Sequence, residues 1–112
     1  MTSDAFHALA LQLAAVRVKP VMETLRFQVA ARTFATLGWP ALGWAVLKLS
    51  LADQQRVLRW GAAFSPEPGR RSKQGVTLVR LDVVREDQLA DGLTAAWRLA
   101  QAEGRTGTRT AA

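Results

Sequence analysis

The sequence of 112 residues contains no cysteine and a single histidine, His7. The absence of cysteine excludes disulfide bonds, thiolate metal sites and cysteine nucleophiles. Long hydrophobic runs are also absent, since no apolar segment approaches the ~18–20 residues that cross a bilayer. The apolar segment nearest the start, Phe6–Val16, has neither a basic leader nor a small-residue cleavage site, so we expect no signal peptide. We therefore expect a cytoplasmic protein with no membrane partner.

The composition is that of a globular domain rather than of a disordered chain. Apolar residues make up 49% and charged residues 21% of the sequence, close to the globular average. A chain of 112 residues is typical of one domain and leaves little room for a second. We expect a single domain over residues 1–103 and a disordered basic tail over residues 104–112, where no large apolar side chain provides an anchor.

Positive charge is in excess, with 15 Lys and Arg against 9 Asp and Glu and a formal net charge of +6. Such an excess favours polyanionic partners, because clustered cations release counterions on binding. The alternative is a chain that is merely rich in arginine, with no partner implied. The densest basic segment, Pro66–Gly75, carries Arg70, Arg71 and Lys73, and an acidic patch follows it over Asp82, Glu86, Asp87 and Asp91.

Apolar periodicity predicts three helices and four strands in the order α-β-β-β-α-β-α. Apolar residues spaced by three and four indicate helices, and alternation of apolar with polar residues indicates half-buried strands. Ser50 is a strong candidate for an N-cap. The predicted helices are Asp4–Ala15, a segment from Ser50 to about Trp60, and Glu86–Ala102; the predicted strands are Leu25–Ala30, Thr33–Leu37, Ala45–Leu49 and Val76–Leu81. This order predicts an α+β domain, an antiparallel sheet with helices packed on one face.

The segment Arg17–Glu23 is predicted to be a connection because Pro20 falls within it. The apolar stripes and faces of the predicted elements also predict the core. The residues expected to be mostly buried are Phe6, Leu9, Leu13, Phe27, Leu47, Leu49, Leu93 and Trp97.

Several short segments, in their order and spacing, carry a family signature. After the N-terminal helix they are Arg26-Phe27-Gln28-Val29, Phe34-Ala35-Thr36-Leu37, Val46-Leu47-Lys48-Leu49-Ser50, Phe64-Ser65-Pro66-Glu67-Pro68-Gly69, Gln74-Gly75-Val76 and Ala96-Trp97-Arg98-Leu99-Ala100. Over residues 3–102 the chain thus resembles the MmcQ/YjbR family of small bacterial proteins. The resemblance implies a CyaY/frataxin-like fold, also called a double-wing fold, and DNA binding.

The chain departs from the family pattern in its first hairpin, in one strand and in the segment Trp39–Trp44, which is unusually apolar for a turn. Ala30-Ala31-Arg32 stands where the family usually has glycine followed by lysine, and Val76 stands where it commonly has tryptophan. The frataxin-like fold suggests iron, but such sites need a dense acidic ridge on the first helix, where this chain offers Asp4 alone. We expect no metal and no cofactor.

Catalytic motifs are missing from the sequence. His7 has no candidate nucleophile near it, and the glycines that flank the basic segment lack the spacing of a phosphate-binding loop. Asp87 and Asp91 share a helix face at a spacing of four residues, which is typical of a solvated face. We therefore expect a binding protein that is not an enzyme.

Duplex DNA is the partner that the basic residues favour. Arg70, Arg71 and Lys73 are expected to contact phosphates, while base readout would require Arg26, Gln28 or Arg32 in a groove. Lys48 is predicted to lie on the same polar strand face as Arg26 and Gln28. The alternative for all these residues is a solvated loop and an ordinary polar sheet face.

A second hypothesis is a protein–protein adaptor that binds through the apolar turn Gly38–Gly43. Aromatic residues are enriched at the centres of interfaces, so the expected contact residues are Trp39, Pro40, Leu42 and Trp44. The alternative is that this turn folds back over the protein's own sheet. A domain that binds small molecules is a third hypothesis, which a deep apolar pocket would favour. We expect a monomer or a weak homodimer.

Overall fold

A six-stranded antiparallel sheet carries three helices on one of its faces in the computed structural model of the chain. The structure describes residues 1–69 and 74–111, and side chains through Gly104. The elements in chain order are α1 (Ser3–Leu11), β1 (Arg17–Val21), β2 (Thr24–Val29), β3 (Arg32–Leu37), β4 (Trp44–Lys48), α2 (Leu51–Leu58), β5 (Phe64–Pro66), β6 (Val76–Arg80) and α3 (Glu86–Ala111). The spatial order of the strands is β1-β2-β3-β4-β6-β5.

The predicted α+β class and antiparallel sheet are confirmed, but the predicted element order is wrong because it lacks two strands. The four predicted strands correspond to β2, β3, β4 and β6, each with ends within one residue of the prediction. The missing strands, β1 and β5, are the two edges of the sheet, and each contains a proline, Pro20 or Pro66. Proline cannot donate to a neighbouring strand, but an edge strand has a neighbour on one side only. Proline is therefore a poor reason to exclude an edge strand.

The helices begin where the caps predict and end at other residues. The backbone N–H of Asp53 donates to Oγ of Ser50 (3.1 Å), which confirms Ser50 as the N-cap of α2. Helix α1 is capped in the same way by Thr2 and ends at Leu11, four residues before the predicted end. Helix α2 ends at Leu58, two residues before the predicted end.

Helix α3 is longer than predicted and continues to Ala111. Residues 104–112 were expected to form a disordered tail, and the structure has them helical through Ala111. Gly104 packs so closely against the turn between β2 and β3 that an added Cβ would lie 2.5 Å from Cβ of Ala30. Beside it, Glu103 forms an ion pair with Arg32 (3.8 Å). These contacts extend the packing of α3 beyond Ala102.

The core lies between the sheet and the three helices. Five of the eight residues predicted to be buried are so, namely Phe6, Phe27, Leu47, Leu49 and Leu93. The other three, Leu9, Leu13 and Trp97, are half-buried at the margin of the same cluster. The indole N–H of Trp97 donates to the carbonyl oxygen of Ala14 (2.9 Å), so its polar edge points away from the centre of the core. A smaller cluster of Val46, Val76 and Leu78 lies on the opposite face of the sheet, beside Trp44.

The turn between β2 and β3 places two alanines in the left-handed region of backbone space. Ala30 has a φ of 52° and Ala31 a φ of 63°, the two consecutive positive values that are typical of a type I′ hairpin turn. Glycine or asparagine usually occupies these positions because a Cβ meets the backbone there. The turn lies where the sequence predicts it, and its conformation strains both alanines.

Replacing Ala31 with glycine is expected to raise the free energy of unfolding by about 0.5–1 kcal/mol, because glycine adopts a positive φ without the steric cost. Replacing Ala8, an exposed residue of α1, with glycine should instead lower the free energy of unfolding by about 1 kcal/mol. Urea denaturation of the two variants and the parent measures both changes. A loss of stability at Ala31 would contradict the strain inferred for this turn.

Gly75 lies against the backbone where β4 ends. Its φ is +89°, and an added Cβ would overlap the carbonyl oxygen of Leu49. We expect Gly75→Ala to lower the free energy of unfolding by about 3 kcal/mol or more, because positive φ and overlap both disfavour a side chain. Gly61 is the matched control: its φ is +108° with no atom within 4 Å of an added Cβ, so Gly61→Ala should cost only about 1–2 kcal/mol. Urea denaturation measures both variants. If Gly75→Ala and Gly61→Ala lost the same free energy of unfolding, the overlap at Gly75 would relax without cost.

Candidate functional site

The net positive charge of the protein is concentrated in its sheet. The six strands that the structure describes contain no Asp and no Glu, but they carry six cationic residues. The nine remaining cationic residues equal the nine acidic residues, so the helices and connections together are neutral. The cationic strand residues are Arg17, Lys19, Arg26, Arg32, Lys48 and Arg80. The formal charge of +6 is therefore accounted for by the strands alone.

Of the four cations outside the sheet whose side chains the structure describes, Arg56 and Arg85 form close ion pairs with acidic partners, and Arg59 and Arg98 form none. Arg56 in α2 contacts Asp91 (2.9 Å) and Asp53 (3.2 Å) and so connects α2 to α3. The hydrogen bond to Asp91 is the main reason that the pKa of Arg56 is raised. Arg85 contacts Asp87 (2.6 Å), and this hydrogen bond raises the pKa of Arg85 and lowers that of Asp87.

Most of the cations of the sheet have no acidic neighbour. Within the described part of the chain, Arg17, Lys19, Arg26 and Lys48 form no ion pair, and all four are exposed. Arg80 is the fifth cation of this group; it lies 3.7 Å from Asp82 and 5.5 Å from the ring centre of Trp44. Unpaired cations on one surface attract anions, because no nearby carboxylate offsets their field.

These five cations share the face of the sheet that carries no helix among the described elements, which we call the helix-free face. Lys19 pairs in register with Arg26, Arg26 with Thr36, and Thr36 with Val46. Side chains directly opposite one another in a sheet point to the same face, and alternate residues along each strand follow them. The face thus comprises Arg17, Lys19, Val21, Thr24, Arg26, Gln28, Thr33, Thr36, Trp44, Val46, Lys48, Ser65, Val76, Leu78 and Arg80.

The helix-free face brings together three of the residues predicted to contact DNA. Arg26 and Gln28 lie two residues apart on β2, and Lys48 lies across β3 on β4. The side-chain amide of Gln28 donates to Oγ1 of Thr33 (3.1 Å), which orients the glutamine along the surface.

Arg32 lies on the other side of the sheet. The register between β2 and β3 shifts at Phe27 and Gln28, so that Gln28 pairs with Thr33 and Val29 pairs with Arg32. This shift is a bulge that leaves Phe34 without a partner and exchanges the faces of the residues before it. Arg32 therefore shares the side of the buried Val29 and contacts Glu103 of α3.

A groove with a volume of about 900 Å³ follows β3 across the helix-free face. The short side chains of Thr33 and Thr36 line it, between Arg26 of β2 on one side and Lys48 of β4 on the other. Trp39 lines the end of the groove where β3 ends, and the Ala30–Ala31 turn lines the opposite end together with Arg32 and Gly104. Phe34, Ala35 and Val46 line it beside the threonines, so the groove has a mixed polar and apolar floor and a cation on each wall.

The basic segment with Arg70, Arg71 and Lys73 lies outside the described residues. Its flanking strands are β5, which ends at Pro66, and β6, which begins at Val76. Val76 pairs with Lys48, so the segment joins the sheet beside one wall of the groove.

The apolar turn Gly38–Gly43 divides into an exposed part and a covered part. Trp39 is 49% exposed and Leu42 is 88% exposed, and Pro40 between them is also exposed. Trp44, by contrast, is half-buried beside Arg80 and packs on the small apolar cluster. The alternative that the turn covers its own sheet therefore applies to Trp44 alone.

The described residues contain no group of three or more potential metal ligands. His7 is half-buried, and its ring meets the edge of Phe27 at 5.5 Å, so it is part of the margin of the core. None of the described helices is both long and apolar enough to span a membrane.

Sequence reasoning missed Arg17, Lys19 and Arg80 as members of the cationic surface. Arg17 and Lys19 belong to an edge strand that was predicted to be a connection, and Arg80 ends a strand that was considered only for its apolar residues. A signal was present in the sequence, since no Asp or Glu occurs between residues 24 and 52. An acid-free stretch that spans three strands predicts a sheet of one charge.

Comparison with known proteins yields a structural neighbour but no family. No family model matches the chain, and no curated protein matches it. The crystal structure of a protein from Pseudomonas syringae, from the Northeast Structural Genomics Consortium, aligns with a TM-score of 0.70 at 13% sequence identity. The alignment covers 89% of this chain and 99% of the other. At this identity the likeness shows that the two chains have the same α+β fold.

Proposed function

We propose that this protein is a non-enzymatic binding protein for nucleic acid, which it holds by the phosphate backbone on the helix-free face. The observation that carries the proposal is the charge of the sheet: the strands hold six cations and no carboxylate, and four of these cations form no ion pair among the described residues. Cations that neutralise phosphates release condensed counterions, and this release drives binding.

The resemblance to the MmcQ/YjbR family supports the same proposal. It implies a double-wing fold and DNA binding, and we include membership of that family and a cytoplasmic location in the proposal. Arg26, Gln28 and Lys48 are the residues of the helix-free face that the resemblance and the charge pattern share. We assign Arg70, Arg71 and Lys73 to further phosphate contacts because their segment joins the sheet beside Lys48. Arg32 is assigned a lesser role, since Glu103 already contacts it.

A protein–protein adaptor is the second candidate function, and the exposure of Trp39 and Leu42 favours it. Large apolar side chains that are this exposed act at interfaces when they are grouped. The adaptor hypothesis requires no affinity for nucleic acid and little dependence of binding on salt.

Salt dependence of binding tests the proposed function. Random-sequence DNA, both duplex and single-stranded, is titrated with the parent protein over a series of salt concentrations and followed by fluorescence anisotropy. In the triple variant Lys19→Ala, Arg26→Ala, Lys48→Ala, each lost phosphate contact should lower the log–log salt slope by about 0.7–0.9. The triple variant should therefore flatten the slope by about 2–2.7 and weaken binding at low salt.

The control removes the same charge from the other side of the protein. Arg59, Arg85 and Arg98 are exposed residues outside the sheet, so replacing all three with alanine changes the net charge equally. The control variant should keep the parent slope to within about 1. If both variants lose affinity alike, the net charge and not the helix-free face is responsible. If the parent binds neither form of DNA at low salt, the proposed function is wrong.

A third variant tests the basic segment. Replacing Arg70, Arg71 and Lys73 with alanine should flatten the slope by up to ~2.7 if all three contact phosphates. If these side chains are exposed, the stability of the fold should hardly change, because exposed charges contribute little to it. An unchanged slope with intact binding would restrict the contacts to the helix-free face.

A further inference from the structure

We propose that the nucleic acid bound by this protein is single-stranded, and that it lies in the groove along β3 with one base stacked on Trp39. This inference rests on the proposed function and specifies its ligand. It is carried by the shape of the groove, by the position of its cations and by the exposed indole at its end.

The shape of the groove follows from the short residues of the central strand. On the helix-free face β3 presents Thr33 and Thr36, while β2 presents Arg26 and β4 presents Lys48. Neighbouring strands are about 4.8 Å apart, so the backbones that carry the two walls are separated by about 10 Å. A duplex has two backbones with a groove of about 6 or 12 Å between them, so the whole duplex is wider than this recess. A single extended strand is narrow enough to enter it.

The cations are placed to follow a backbone along the groove. Arg26 stands level with Thr36 and Val46 in the register, and Lys48 lies two residues beyond Val46 on β4. Two residues of a strand span about 7 Å, so the two cations lie on opposite walls at different points along β3. A chain of phosphates that runs along β3 passes both cations, and the threonine hydroxyls of the floor are available to hydrogen-bond with sugars and bases.

Trp39 supplies the contact that distinguishes unpaired bases from paired ones. Its side chain is 49% exposed and lines the end of the groove. Bases of a single strand are free to stack on an aromatic ring, and such stacking tolerates any sequence. The bases of a duplex are already stacked on each other, so they cannot stack on the indole unless the duplex opens.

The affinity for matched oligonucleotides tests this inference. A labelled ten-nucleotide strand of mixed sequence and the duplex of the same sequence are titrated by anisotropy with the full chain at one low salt concentration. We expect the single strand to bind at least about 10-fold more tightly than the duplex, because only unpaired bases stack on the indole. An RNA strand of the same sequence is titrated in the same way. The nucleic acid with the higher affinity, DNA or RNA, identifies the natural source of the ligand.

Variants locate the strand in the groove. Trp39→Ala is expected to weaken single-strand binding by about 10-fold and to leave duplex binding unchanged, while Trp39→Phe should restore part of the loss. Leu42→Ala is the control, because Leu42 is an exposed apolar residue of the same turn that does not line the groove. Thr36→Met lengthens a side chain in the floor without changing the charge and should also weaken single-strand binding, with little effect on the duplex.

The outcomes separate this inference from the proposed function. Duplex binding that equals or exceeds single-strand binding would overturn the inference and leave the proposed function standing. Equal losses for Trp39→Ala and Leu42→Ala would also overturn it, because the turn would then act as an apolar patch. Failure of both oligonucleotides to bind would overturn both proposals. Circular dichroism of each variant shows whether it keeps the parent fold.

Discussion

The one-sided packing of helices on the sheet is the constraint on which the rest of the structure depends. Helix α3 covers the central strands, α1 and α2 flank it, and together they bury the largest apolar side chains, among them Phe6, Phe27 and Leu47. A sheet that is covered on one face leaves the other to solvent, and charged residues are costly to bury. Every unpaired cation of the strands therefore lies on the helix-free face.

Charge and packing together account for the groove. Arg56 and Arg85 are held by carboxylates of α2 and α3. No residue of the described strands is acidic, and of the five cations of the helix-free face only Arg80 lies close to a carboxylate, that of Asp82 (3.7 Å). The central position of β3, with threonines between Arg26 and Lys48, then converts a flat charged surface into a channel with charged walls.

The bulge in β3 decides on which side of the sheet Arg32 lies. Alternate residues of a regular strand point to the same face, so Arg32, four residues before Thr36, would lie on the helix-free face if β3 were regular. The unpaired Phe34 interrupts this alternation, so that Thr33 lies on the helix-free face and Arg32 meets Glu103 on the helix side. The same contact region receives Gly104, so the bulged hairpin and the extended end of α3 are connected parts of one arrangement. The bulge thus places Arg32 against Glu103, at the end of the groove that Arg32 and Gly104 line.

The sequence by itself determined the four inner strands, the start of α2 at Ser50 and the shared face of Arg26 and Gln28. These features depend on alternation and capping, which act over a few neighbouring residues. Only the tertiary structure decided that β1 and β5 join the sheet as edges, that Arg32 turns toward Glu103 at one end of the groove and that Trp39 stands at the other end. Such features depend on which strands become neighbours and in what register, and pairing between distant segments leaves little trace in local residue patterns.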